Sequence, residues 1–76
     1  MTLFEKLQQL IDFGYEVNFK RKINQLLVSV EREDVIGNIF IRESCLPLSD
    51  HFYESKVVDC IDYMVNEINE KLALTN

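Results

Sequence analysis

Few residues in this chain could do chemistry, and their spacing serves none of the usual reactions. His51 is the single histidine and the one natural general base. Nucleophilic catalysis sets a serine hydroxyl or a cysteine thiol beside such a base. Cys45 and Cys60 could approach His51 across the segment between them. Cys60, however, falls on the apolar side of a helical pattern, where cysteine behaves as a small hydrophobe. A zinc site built from Cys45, His51 and Cys60 lacks paired-ligand spacing and would need a fourth donor such as Asp50. Carboxylates abound, but Asp59, Asp62, Glu67 and Glu70 lie on the polar side of an amphipathic stretch, where charge is ordinarily just solvated. Gly14 and Gly37 are the only glycines, so there is no glycine-rich phosphate loop. We therefore expect no enzyme, no cofactor and no bound metal, and read the chain as a binding protein.

The elements that would present such binding residues are organised around the last third of the chain. Val57, Ile61, Met64, Ile68 and Leu72 recur at steps of three and four, one stripe of a helix. Val58, Cys60 and Val65 widen the stripe beyond what a lone helix can hide. Upstream, Thr2 and Glu5 fit a capping box. Leu3, Phe4, Leu7, Leu10 and Ile11 repeat at helical spacing behind it. Gly14 stands where a helix wants a left-handed C-terminal residue, so the first helix is expected over about 3–13.

The period then falls to two. Tyr15, Val17 and Phe19 alternate with Glu16, Asn18 and Lys20 as a half-buried strand, and residues 21–24 read as a turn. A second strand, over about 25–32, puts Leu26, Val28 and Val30 on one face and Leu27, Ser29 and Glu31 on the other. A third, over about 36–43, is expected to send Ile39 and Ile41 inward and Phe40 and Arg42 outward, with Gly37 easing a bend or bulge. Residues 44–48 read as a connector in which Pro47 stops the ladder. Ser49 or Asp50 is then expected to cap the second helix.

Short links between strands make antiparallel neighbours. The expected fold is α+β: a helix, a three-stranded antiparallel meander and a helix in one domain of 76 residues, both helices on one sheet face. Its core would hold Leu7, Ile11, Val17, Val28, Ile39, Ile41, Ile61 and Met64. A helix running from Asp50 to Leu72 would be longer than the strands and overhang one end of the sheet. That would expose either Phe52 and Tyr53 or Ile68 and Leu72; a helix starting near Glu54 would instead fold Phe52 and Tyr53 back as a plug.

Composition narrows the partner. The chain is 47% hydrophobic with one alanine, Ala73, so its apolar content is large side chains, more than a domain this small needs inside. Either a second chain covers the surplus or it is scattered over the surface. The net charge of −5 repels phosphates and anionic membranes, and residues 45–76 carry six acids against Lys56 and Lys71. The two cysteines cannot form a disulfide framework. Without a secretory signal or an apolar run long enough to span a bilayer, a cytoplasmic home is expected.

Two surfaces are candidates for contact with a partner. Asp59, Asp62, Asn66, Asn69 and Glu70 fall on one helical stripe that could compete for a basic groove normally occupied by nucleic acid; a merely solvated face is the commoner use of such a pattern. Leu27 and Phe40, ringed by Asn18, Lys20, Ser29 and Arg42, would form an anchor-and-rim patch on the open sheet face. A register slip by one residue would bury them instead.

The element order is also that of double-stranded-RNA-binding domains, which place a lysine cluster at the start of the second helix. Asp50, His51 and Glu54 stand there in this chain with Lys56 alone, so RNA binding is not expected. The pattern of Phe4–Ile11, Tyr15–Phe19, Leu26–Val30, Ile39–Ile41 and Val57–Ile68, with the acidic balance, resembles small phage or mobile-element proteins that disable a host system, such as anti-CRISPR proteins. The resemblance implies an inhibitor that binds a host defence protein, and transfers no site residue. The different-class alternative is a homodimeric structural or assembly protein.

Overall fold

The computed structural model describes residues 2–49 and 53–75. The order is α1 (Leu3–Asp12), β1 (Tyr15–Lys22), β2 (Gln25–Glu33), β3 (Ile39–Pro47) and α2 (Glu54–Thr75). The strands form one antiparallel sheet in the order β1-β2-β3. Both helices lie on one face of it, α1 against β1 and α2 against β2 and β3. This is the expected αβββα arrangement.

The start of α1 follows from its capping residues. The Glu5 N–H donates to Thr2 Oγ1 at 3.1 Å, and the Thr2 hydroxyl donates to Glu5 Oε1 at 3.2 Å. The Leu3 N–H, otherwise left over at a helix N-terminus, donates 2.7 Å to Glu54 Oε1 in the first turn of α2. Both helices therefore begin at the same end of the sheet. At the far end of α1, Gly14 has φ +87° and its N–H reaches the Ile11 carbonyl at 3.1 Å. A side chain there would be strained.

The strands depart from expectation in three places. The ladder of β1 runs through the basic run Lys20-Arg21-Lys22, because Lys22 pairs with Gln25 and only Ile23 and Asn24 turn the hairpin. β3 begins later, at Ile39, and continues to Pro47, which pairs with Gln25. Proline is tolerated there because β3 is an edge strand and Pro47 is its last residue. The third departure is the face of β3: Phe40, Arg42, Ser44 and Leu46 share the helix-facing side with Val28 and Val30, while Ile39 and Ile41 face away.

The reason for that reversal lies in the turn. Asp34 Oδ1 accepts the N–H groups of Ile36 and Asn38 at 2.9 and 2.8 Å, and the Asp34 N–H donates to the Asn38 carbonyl at 2.8 Å. Gly37, at φ +94°, completes the turn rather than bending a strand. This closure sets Glu33 opposite Ile39, and with a period of two every later side chain in β3 follows.

The core is Leu10, Tyr15, Val28, Val30, Val57, Ile61, Met64 and Ile68. Leu3, Leu7, Val17, Leu26, Phe40, Leu46, Cys60, Val65 and Leu72 pack around it. The expected core places at Ile11, Ile39 and Ile41 are not core, since these residues are 64%, 60% and 47% exposed. Ile11 falls outside because the arc of α1 that meets the sheet is centred on Leu3 and Leu10, leaving Phe4 and Ile11 on its flank.

α2 starts at Glu54, five residues after Ser49, so Ser49 does not cap it. Asp50, His51 and Phe52 lie outside the described residues, and with them the expected cap at Asp50, the histidine candidates and the Phe52 overhang. Twenty-two residues span about 33 Å, against about 30 Å for strands of nine. The mismatch is therefore smaller than expected and falls at the C-terminal end, where Ile68 is fully buried, Leu72 half-buried and Leu74 exposed.

Candidate functional site

The expected acidic stripe is divided between two surfaces. Asp59, Asn66 and Glu70 are exposed on the outer face of α2. Asp62 and Asn69 turn toward the first helix and first strand instead. Asp62 forms an ion pair with Lys6 of α1. Asn69 Oδ1 accepts the hydroxyl of the buried Tyr15, and the Tyr15 hydroxyl oxygen in turn accepts from Arg32 Nη1 at 3.1 Å. On the opposite flank, Glu67 takes Arg42 Nε of β3 at 3.1 Å. The flanking carboxylates hold the fold together, and Asp59 and Glu70 are left without an ion-pair partner among the described residues.

A residue missing from the sequence-level site stands between them. Tyr63 is 68% exposed, four residues after Asp59, three before Asn66 and seven before Glu70, so all four share one helical face. The signal was available: Tyr63 lies two positions past Ile61, nearly opposite the core side of the helix. An exposed aromatic anchor bordered by carboxylates is a surface with both contact area and charge.

The open sheet face carries Leu27 as expected, half-buried between Lys20 of β1 and Cys45 of β3. Phe40 and Arg42 are not beside it, because the reversed face of β3 turns both toward the helices. Ile41 and Ile39 take their place on the open side. Glu16 and Glu31 stand directly opposite each other there. A hydrogen bond shared with Glu16, desolvation and the Glu16 charge together raise the Glu31 carboxyl above its ordinary value. At the β2–β3 turn the balance runs the other way. Desolvation acts to raise Asp34, but its bonds from Asn38, Ile36 and Gly37 outweigh it and hold the carboxyl below the usual range.

No group of three or more metal-ligating side chains occurs among the described residues. Cys45 is exposed on β3 and Cys60 half-buried on α2, both as free thiols. No helix among the described residues is long and apolar enough to cross a membrane. Comparison of the chain with protein-family models, with curated proteins and with solved structures gives no match.

Proposed function

We propose that this protein is a non-enzymatic protein-binding module that engages a basic partner through the outer face of α2. The observation that carries this reading is the exposed set of Asp59, Tyr63, Asn66 and Glu70. Among the described residues its two carboxylates have no ion-pair partner, whereas those at Asp62 and Glu67 do. Eleven residues of helix separate Asp59 from Glu70, about 16 Å on a rigid support. Such a face competes for a groove that holds nucleic acid by the same charge attraction. In its most concrete form, the resemblance to phage host-inhibitor proteins makes the partner a nucleic-acid-handling defence protein of the host.

The test is affinity capture from lysate of the source cell's host, with wild type compared against a D59K/E70K variant. The expected result is a captured protein that added DNA or RNA displaces, that elutes as salt rises, and that the variant fails to hold. Equal capture by both chains would refute the acidic-face reading.

A further inference from the structure

The two edges of the sheet are not alike. α1 packs on β1 and not on β2, so it lies along the outer margin of that edge. α2 packs on both β2 and β3, which sets its axis inboard of the other. Antiparallel partners bond in alternation, and two bonds fix the phase along β3. The Asp34 N–H donates to the Asn38 carbonyl and the Leu48 N–H to the Asn24 carbonyl, both at 2.8 Å. Phe40, Arg42, Ser44 and Leu46 therefore bond inward to β2. Ile39, Ile41, Glu43 and Cys45 aim their N–H and C=O groups at the open edge, and Pro47 its carbonyl alone. No lysine, bulge or internal proline interrupts that edge, the devices that ordinarily keep other strands away.

We infer that the β3 edge pairs with β3 of a second copy of the chain, antiparallel, about a two-fold axis normal to the sheet. The two three-stranded sheets become one. The helix layer selects a second copy over a lone foreign strand. Neighbouring strands lie about 4.8 Å apart, and α2 straddles β2 and β3. Pairing two β3 strands therefore brings the two α2 axes to about 10 Å, the spacing of packed helices. A single added strand would leave the flank of α2 above it bare. That flank carries the half-buried Cys60 and the exposed Tyr63, with Lys56 on one side of them and Glu67 on the other. The same operation through β1 fails, because it would bring two copies of α1 into one strip of space.

Charge and ladder length fix the register. An axis through Glu43 sets glutamate on glutamate, and one through Arg42 sets arginine on arginine, both unfavourable. An axis through Ile41 or Cys45 pairs only residues 39–43 or 43–47. An axis through Ser44 avoids these faults and pairs residues 41–47. Glu43 then exchanges both backbone bonds with the partner's Cys45, and the Ile41 N–H donates to the carbonyl of the partner's Pro47. The two Glu43 carboxylates are left diagonal, on the solvent side. The helices agree with this choice. Leu46 pairs with Leu26, which lines one cavity with Val57, and Arg42 holds Glu67, so Ser44 lies level with about Ile61 or Asp62. The axis thus passes beside Cys60 and Tyr63, and Lys56 comes level with the partner's Glu67. The contact is isologous, so that pair of opposite charges occurs twice. Asp59 and Glu70 point away from the sheet, outside the contact, and the inference does not rest on the proposed function.

Sedimentation equilibrium of the full chain, from low micromolar to millimolar concentration, tests it. The expected result is a monomer–dimer equilibrium. C45P removes an N–H that points to the open edge and spares the bonds to β2, so it should abolish the dimer and keep the far-ultraviolet circular dichroism of the wild type. D59K/E70K should dimerise as the wild type does. A second readout is covalent and needs no comparison of folding. In an S44C/C45S/C60S chain the single thiol lies on the two-fold, at a close cross-strand pair, and mild oxidation should crosslink it. The E43C/C45S/C60S chain should crosslink at least about tenfold more slowly, since its thiols are diagonal. A wild-type chain that stays monomeric to millimolar concentration would leave the edge to a foreign strand and overturn the inference. So would a C45P chain that still dimerises, or crosslinking that is faster in the E43C chain than in the S44C chain.

Discussion

Arg42 Nε lies 3.1 Å from Glu67 Oε2, and this contact ties the edge strand β3 to the middle of α2. Arg42 also donates from Nη1 to the Ile41 carbonyl at 2.9 Å. An arginine on the helix-facing side of a sheet needs such partners, because its stem packs while its head must stay paired. Both side chains are partly exposed, so R42A should destabilise the fold by only about 1 kcal/mol. A double-mutant cycle with E67A, read by urea unfolding, should give a coupling of about 0.5 kcal/mol. No measurable coupling would mean that the pair does not hold β3 to α2.

The face assignment of β3 has a direct check. F40A removes a side chain packed against the core and should cost about 2–3 kcal/mol, below the full range for buried aromatics because Phe40 is only half-buried. I41S, on the exposed side, should change monomer stability by less than about 0.5 kcal/mol. Thermal unfolding at low protein concentration measures both. The reverse order would return β3 to the opposite register.

Asp34 links the β2–β3 turn to pH. Its carboxyl sits below the ordinary value because backbone N–H groups favour the charged form. The stabilisation it gives is therefore complete above the ordinary carboxylate range and is lost as pH falls through its lower folded value. D34A should lower the unfolding midpoint at neutral pH, and the difference from wild type should shrink in strong acid. A carboxyl titration by NMR that placed Asp34 at or above the ordinary value would contradict this account.

Glu31 has the opposite sign. Its carboxyl is raised by the shared bond and charge of Glu16, so the folded state favours the protonated form, and that advantage is lost as pH rises through the folded value. E31Q removes the repulsion and should raise the unfolding temperature at pH 7 while changing little in acid. An unchanged or lower midpoint at pH 7 would show that the pair does not strain the monomer.

The fold was largely legible because its strongest patterns belong to helices and hairpins. Val57, Ile61, Met64 and Ile68 are buried at the spacing that periodicity required, and Thr2, Glu5 and Gly14 bound α1. The face of β3 is not legible because periodicity is silent there: Ile39-Phe40-Ile41 is a continuous apolar run that fits either face. The deciding information was in the turn, where Asp34, Gly37 and Asn38 fix the parity of everything that follows. The acidic stripe was legible as a pattern, but its division was not, because the partners that neutralise Asp62 and Glu67 come from α1 and β3. Tyr63 does not register in a charge pattern, and only its position nearly opposite Ile61 on the helix marks it as exposed.

The bond from the Leu3 N–H to Glu54 joins residues 51 positions apart in sequence, and this has a consequence for synthesis. At the usual elongation rate, roughly 3–10 s separate the appearance of these two residues. During that time α1 is a ten-residue segment, below the length at which an isolated helix persists, and it has only the strands to pack on, since the α2 residues that complete the core around Leu10 have not been made. The first helix is therefore fully secured only when α2 arrives. Translation that stopped after β3 would release a sheet whose core-forming side over β2 and β3 lacks its helix and whose two edges are open, the form in which chains aggregate or are degraded.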